Sequence, residues 1–165
     1  TRYEAVTGVQ TCALPICVPR ILERGALLAI DYGFPQREYY HPQRSAGTLM
    51  CHYRHHAHAD PFWLPGLNDI TAHLDFTALA EAGFEAGLDL LGYTGQAQFL
   101  LNCGLAQLLE QHQADGAAAW AALASGAHKL LSPAEMGELF KVLMLGKGIA
   151  APPPGFVRGD RRHAL

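Results

Sequence analysis

The sequence predicts an α/β layer fold, and three observations carry that expectation. Residues 26–30, Ala-Leu-Leu-Ala-Ile, form an unbroken apolar run bounded by Gly25 and by Asp31-Tyr32-Gly33. Residues 75–111 pass from a helical pattern through a strand pattern into a second helical pattern, the rhythm of helices layered on a sheet. The chain's 165 residues, 50% of them hydrophobic, hold material for one core.

The first segment, Val6 to Ile16 (VTGVQTCALPI), coincides with the translation of one strand of a common short-read sequencing adapter. Residues 1–17 are therefore set apart from fold reasoning as a non-native segment, leaving 18–165 as the inherited domain. A signal peptide fits less well, because the apolar stretch is short and Pro15 interrupts it. With this segment go Cys12 and Cys17, so only Cys51 and Cys103 remain, too few for a disulfide framework.

The run at 26–30, apolar on both faces, reads as a strand inside a parallel sheet. In such sheets ligands sit beyond the carboxyl ends of the strands, which is where Asp31 and Tyr32 fall. Alternatively, Asp31 only caps the following turn. Residues 34–69 are crowded with Tyr, His, Arg and Pro, and Pro35, Pro42, Pro61 and Pro65 forbid a long helix. A strand is expected within Gly47 to Tyr53, and a segment this long and aromatic reads as a binding loop or lid.

From Asp75 the pattern turns helical, with Asp75 as N-cap and Gly87 as the stop. Leu88 to Tyr93 reads as the next strand. A helix from Gln96 to Gln111 follows, with Leu101, Leu105 and Leu108 on one face. Ala114 to Ala127 fits a helix or a loop. Ser132-Pro133-Ala134-Glu135 is a capping-box helix start, and Met136, Leu139, Phe140, Leu143 and Met144 follow helical core spacing. Pro152-Pro153-Pro154 forms a stiff connector, and Gly155 to Arg158 a short last strand.

Composition narrows the function classes. Lys+Arg number 12 against 15 Asp+Glu, a net charge of −3, which provides no basic field for nucleic acid. No apolar run approaches the roughly 20 residues that span a bilayer, so membrane insertion is not expected. Neither a Gly-x-Ser-x-Gly elbow nor a phosphate-binding lysine loop is present, and no Gly-x-Gly-x-x-Gly run follows a strand.

Two constellations remain. Cys51, His52, Arg54, His55, His56 and His58 lie within eight positions of one another. On an extended segment Cys51 and His55 face one way, and His52, Arg54, His56 and His58 the other. That division and the Arg54 charge disfavour zinc, and the polar face suits an acidic or phosphate-bearing ligand better. In the second, alternation places Asp69, Thr71, His73 and Asp75 on one face, where acid and imidazole can form an acid–base pair. The plainer reading is a half-buried strand with its polar side in water.

The stretch AIDYGFPQREYYHPQRSAGTLMCHYRHHAHADPFWLPGLNDITAHLDFTALAEAG resembles the MidA-type methyltransferases, which depend on S-adenosylmethionine and whose mitochondrial members assist respiratory complex I assembly by methylating arginine in a subunit. LGYTGQAQFLLNCG, LLSPAEMGELFKVL and GFVRGDRRHAL are similar to later parts of that family. The resemblance implies the C-terminal portion of a Rossmann-like class I methyltransferase domain with an incomplete sheet. It also implies S-adenosyl-L-methionine as cofactor, no metal, and a protein acceptor in the bacterial cytoplasm. The family's Gly-rich cofactor loop lies upstream of Ala26, so cofactor-binding residues are left unassigned and this chain alone is expected to be inactive. Asp31, Tyr32, His73 and Asp75 are carried over as catalytic candidates, and Tyr40, His41, Arg44, His52, Arg54 and Asp69 as substrate-side candidates. Tyr53 and Thr48 match further polar positions. Two alternatives of other classes stand beside this: a metal module on Cys51, His52, His55, His56 and His58, and an interaction surface over Tyr39 to Trp63.

Overall fold

The computed structural model describes residues 17–54, 56–113 and 116–165. The adapter-like stretch Val6 to Ile16 and His55 lie outside the described residues. Two sheets organise the rest. The larger is built on β1 (Gly25–Phe34), β5 (Leu74–Asp75), β6 (Asp89–Gly95) and β7 (Phe140–Lys147), in the order β5-β1-β7-β6. The smaller places β2 (Met50–Tyr53) between β3 (His56–His58) and β4 (Asp69–Thr71), both antiparallel to it.

β1 is a strand, as the apolar run predicts, but its setting differs from a buried parallel position. It pairs antiparallel with β7 from Gly25↔Lys147 to Tyr32↔Phe140, and parallel with β5 only at Gly33↔Leu74 and Phe34↔Asp75. Ladder pairing also carries the strand through Asp31 and Tyr32 to Phe34, so those two residues lie inside it. Alternate side chains separate two faces. Leu27 and Ala29 pack on the core, while Leu28 and Ile30 are 43% and 49% exposed. Because β6 also runs antiparallel to β7, the carboxyl ends of β1 and β6 lie together beside the amino end of β7.

After the short helix α1 (Gln36–Tyr39), the helix α2 (Phe76–Glu85) forms where the sequence places it. The Asp75 carboxylate accepts from the N–H groups of Thr77 and Ala78 at 3.0 and 3.1 Å. Phe76, Leu79, Ala80 and Gly83 are buried at helical spacing. At its end Gly87 N–H bonds Phe84 O and Leu88 N–H bonds Gly83 O, a Schellman closure. Its buried face meets Leu88, just before β6, and Tyr93, Leu143 and Leu145 of the sheet, each at most 1% exposed, to make the core.

Other expectations are corrected. The helix expected over Gln96 to Gln111 is two, α3 (Gln96–Asn102) and α4 (Leu105–Gln111), because Gly104 between them takes φ +92°, outside helical space for other residues. Leu101 and Leu108 of the expected stripe are about half exposed. The Ala-rich stretch is helical within α5 (Ala117–Leu131). The helix predicted from Ser132 does not form. Ser132 is the C-cap of α5, turns follow, and Phe140, Leu143 and Met144 belong to β7. Hydrogen bonding to a strand on each side outweighs a local capping signal and an ambiguous apolar spacing. Gly155 to Arg158 contains a 3-10 turn, Pro154–Phe156, in place of a last strand.

The His-rich segment is a hairpin, not one extended run. Cys51 pairs with His58, His52 with Ala57 and Tyr53 with His56, and Arg54 enters the turn at φ +47°. His56 and His58 therefore share the face of Cys51 and not that of His52. Residues 69–75 likewise do not form one strand, since β4 joins the small sheet and β5 the large one.

Candidate active site

The carboxyl end of β1 brings three of the predicted residues, Tyr32, His73 and Arg44, together. Tyr32 points to the sheet face away from α2 and meets His73 edge-on, with ring centroids 5.4 Å apart. It meets Phe140 of β7 in the same way at 5.5 Å. His73 also stacks on Phe34 at 5.0 Å and 25°, and the Arg44 guanidinium lies over the Phe34 ring at 3.9 Å. The chain enters this site along β1 and returns into it through β5. That return is close: a Cβ on Gly33 would stand 2.3 Å from the carbonyl oxygen of Leu74, so only glycine allows the approach.

His73 is fixed from its backbone, whose N–H donates to Thr48 Oγ1 at 3.2 Å, while its buried Nδ1 has no hydrogen-bond partner among the described residues. Burial holds the imidazole below the usual histidine range, with Arg44 acting in the same direction and the Thr48 bond and Asp31 opposing. His73 is thus neutral near pH 7, with a ring nitrogen able to take a proton or a hydrogen bond. Asp31 Oδ1 accepts from the Tyr32 N–H at 2.8 Å, and its strand position is opposite Lys141.

The Asp75 carboxylate caps α2, and burial raises its pKa. His41 Nδ1 accepts from Gln43 N–H and opens the 3-10 turn Pro42–Arg44. Tyr40, 63% exposed, packs edge-on against Tyr39. His52 and Asp69 are exposed cross-strand partners in the small sheet, and Arg54 sits at its hairpin turn. His52, Arg54 and Asp69 belong to the small sheet and its hairpin and are not gathered with Tyr32 and His73, whereas Asp75 pairs with Phe34 through β5. Among the described residues no three His, Cys, Asp or Glu side chains are grouped to hold a metal ion.

On the α2 face of the same rim stands a set that the sequence reading missed. Arg161 makes a bidentate pair with Glu138, at 2.9 Å for both bonds. Lys141 Nζ donates to the Glu138 carbonyl oxygen and lies 3.7 Å from its Oε2. The pair with Arg161 holds the Glu138 carboxyl below its ordinary range, and burial lowers Lys141. The Tyr93 hydroxyl is buried here without a hydrogen-bond partner among the described residues, and burial raises its pKa. Only a nonlocal register places Asp31, Lys141 and Gly95 side by side.

Comparison with known proteins gives this rim its context. A family model described as "Putative S-adenosyl-L-methionine-dependent methyltransferase" matches residues 12–94, half of the chain. The chain belongs to this family. Two solved structures from Burkholderia thailandensis superpose on it with a TM-score of 0.90 at 55% identity over 93% of the chain. One is an uncharacterized ACR, COG1565 superfamily protein; the other is a COG1565 superfamily member bound to S-adenosyl-homocysteine. The chain spans 41% and 40% of their lengths. No curated protein matches the chain. The mixed sheet with helices against it is thus the α/β, Rossmann-like arrangement of this methyltransferase family. No helix among the described residues is long and apolar enough to cross a membrane.

Proposed function

We propose that this chain forms the acceptor side of an S-adenosylmethionine-dependent methyltransferase of the MidA type, which methylates arginine in a protein linked to respiratory complex I assembly in the bacterial cytoplasm. The observation that carries the reading is the convergence of Tyr32, Phe34 and His73 at the carboxyl end of β1, with Asp31 next to Tyr32 in the strand on the opposite sheet face, in a chain of this family. The relative bound to S-adenosyl-homocysteine supports the cofactor class.

The residues present fit part of such a cofactor. Phe34 already carries a cation, Arg44, on its face, and aromatic rings at this rim suit a sulfonium by the same attraction. When bound, S-adenosylmethionine supplies an electrophilic methyl group. Methyl transfer to a nitrogen then requires alignment and exclusion of water more than covalent help. Tyr32, Phe34 and Phe140 provide a ring-lined wall for that. The Asp31 carboxylate can orient a guanidinium through charge-assisted hydrogen bonds. The neutral imidazole of His73 can take the proton that the acceptor nitrogen releases.

A protein acceptor is supported by the small sheet, which is inserted between β1 and β5 and so borders the rim. Phe62 and Leu67 in the loop between β3 and β4, and Ile70 in β4, are 83%, 65% and 52% exposed, a surface suited to a polypeptide partner. The test is transfer of tritiated methyl groups from S-adenosylmethionine by the full-length gene product to an arginine-containing peptide set and to its lysine-substituted counterpart. Label on the arginine set alone is expected. Label on neither set, with no calorimetric binding of S-adenosylhomocysteine, would remove the reading.

A further inference from the structure

The end of the chain is tied along the outer side of β6. Arg161 N–H donates to the Tyr93 carbonyl oxygen at 2.6 Å, Tyr93 N–H donates to Asp160 Oδ1 at 3.3 Å, and Thr94 Oγ1 donates to the Gly159 carbonyl oxygen at 2.7 Å. Arg162 bonds Asp160 through Nε at 2.6 Å and the Leu90 carbonyl oxygen through Nη1 at 3.1 Å. These bonds satisfy a strand edge that would otherwise invite pairing with another chain. They also fix the backbone of Arg161, whose guanidinium then reaches over the sheet end to Glu138.

Edge protection does not account for the bidentate geometry at Glu138. Both partners are partly exposed, 43% and 40%, and such a pair adds little stability by itself. What the pair does is set the Glu138 carboxylate beside the Lys141 ammonium, whose side chain is 12% exposed. An ammonium has three donors. One is used on the Glu138 carbonyl oxygen, and Oε2 at 3.7 Å is too far to take a second. Lys141 stands opposite Asp31 in the strand register and on the same sheet face, so it borders the rim on the side of the Asp31 carboxylate proposed to orient the acceptor, across the sheet from the Tyr32–His73 rings.

We propose that Lys141 is a site residue donating a hydrogen bond to a carbonyl or carboxylate oxygen of the methyl acceptor, and that Glu138 and Arg161 are the positioning residues that hold its ammonium. The inference rests on the methyltransferase reading above. The charged and titratable groups facing Lys141 are Glu138, Arg161 from the chain end, Glu38 from α1 (Gln36–Tyr39), and Asp31 across the strand pair. The Arg161 charge disfavours protonated Lys141, so its removal shifts loss of the ammonium to higher pH.

The test uses the full-length gene product, tritiated S-adenosylmethionine, and protein extract from cells lacking the gene as the acceptor. Lys141→Met is expected to reduce methyl incorporation at sub-saturating extract about tenfold, the size of a charge-assisted hydrogen bond, while S-adenosylhomocysteine binding by calorimetry is unchanged. Arg161→Gln should reduce incorporation several-fold, move the alkaline limb of the pH profile upward, and be partly rescued by Arg161→Lys. In the Lys141→Met background, Arg161→Gln should have no further effect. Should Arg161→Gln not fold, Glu138→Gln replaces it in the same cycle. A Lys141→Met enzyme as active as the wild type at sub-saturating extract, or additive effects in the cycle, would overturn the inference and leave the methyltransferase reading standing. A wild-type protein that neither binds S-adenosylhomocysteine nor transfers methyl groups would overturn both.

Discussion

Tyr32 and His73 meet edge to face, ring centroids 5.4 Å apart, although the whole small sheet lies between them in the chain. The contact closes a segment rich in polar aromatics back onto the strand that launched it, and β5 holds the closure by pairing with Gly33 and Phe34. His73 therefore carries both structure and the proposed chemistry. His73→Gln removes two ring contacts and is expected to cost about 1–2 kcal/mol, seen as a lower unfolding midpoint in urea. The same variant should lower methyl transfer by about a hundredfold or more, the usual worth of a positioned general base. A hundredfold loss without a change in S-adenosylhomocysteine affinity would separate the two roles.

Gly33 gives a sharper stability test. A Cβ at this position would meet backbone, the Leu74 carbonyl oxygen at 2.3 Å and nitrogen at 2.8 Å, as well as the Phe76 ring at 2.9 Å. The nearest two of these atoms are Leu74 backbone, which cannot swing aside as a flexible side chain would. Gly33→Ala should cost about 1–3 kcal/mol or more, as overpacking does, and should loosen β5 first. Hydrogen exchange at Leu74 and Asp75 checks it, with faster exchange there than in β7.

Local signals account for what the sequence made legible. The Asp75 cap and the Gly87 stop act within one turn of α2, and both are read correctly from neighbouring residues. β7 is the opposite case. Phe140, Leu143 and Met144 fit helical spacing, and only pairing with β1 and β6 makes them a strand. The site divides in the same way. Tyr32 and His73 are visible because Tyr32 follows the apolar run of β1, His73 alternates with acidic residues, and the family resemblance carries both over, whereas Lys141 comes to Asp31 only through the β1–β7 register and Arg161 to Glu138 only through the segment tied along β6.

That register supplies a direct check on the misread segment. Leu143 is 1% exposed and packs with Leu145, Tyr93 and Phe76 beneath α2. Leu143→Ala should therefore cost about 2–5 kcal/mol, while Leu139→Ala, at a position 45% exposed, should cost less than about 0.5 kcal/mol. A helix with both leucines on one buried stripe would give similar losses, so the ratio measured by denaturant melts distinguishes the two.

Acid should weaken the site in two separate steps. Burial lowers the His73 pKa from 6.5, so the unfolded chain binds this proton more readily than the folded one. Stability from this group is complete above pH 6.5 and is lost as pH falls through the lower, folded value. The Glu138 pKa is lowered from 4.5 chiefly by its bonds to Arg161, so its contribution is present above pH 4.5 and lost below it. The Glu138 contribution is the smaller, since solvent screens the pair. His73→Gln should flatten the first decline and leave the second, and Arg161→Gln should do the reverse. Unfolding midpoints measured from pH 7.5 down to pH 3.5 for the wild type and both variants would resolve them. A His73→Gln curve parallel to the wild type between pH 6.5 and 5 would show that this histidine does not titrate in a buried site.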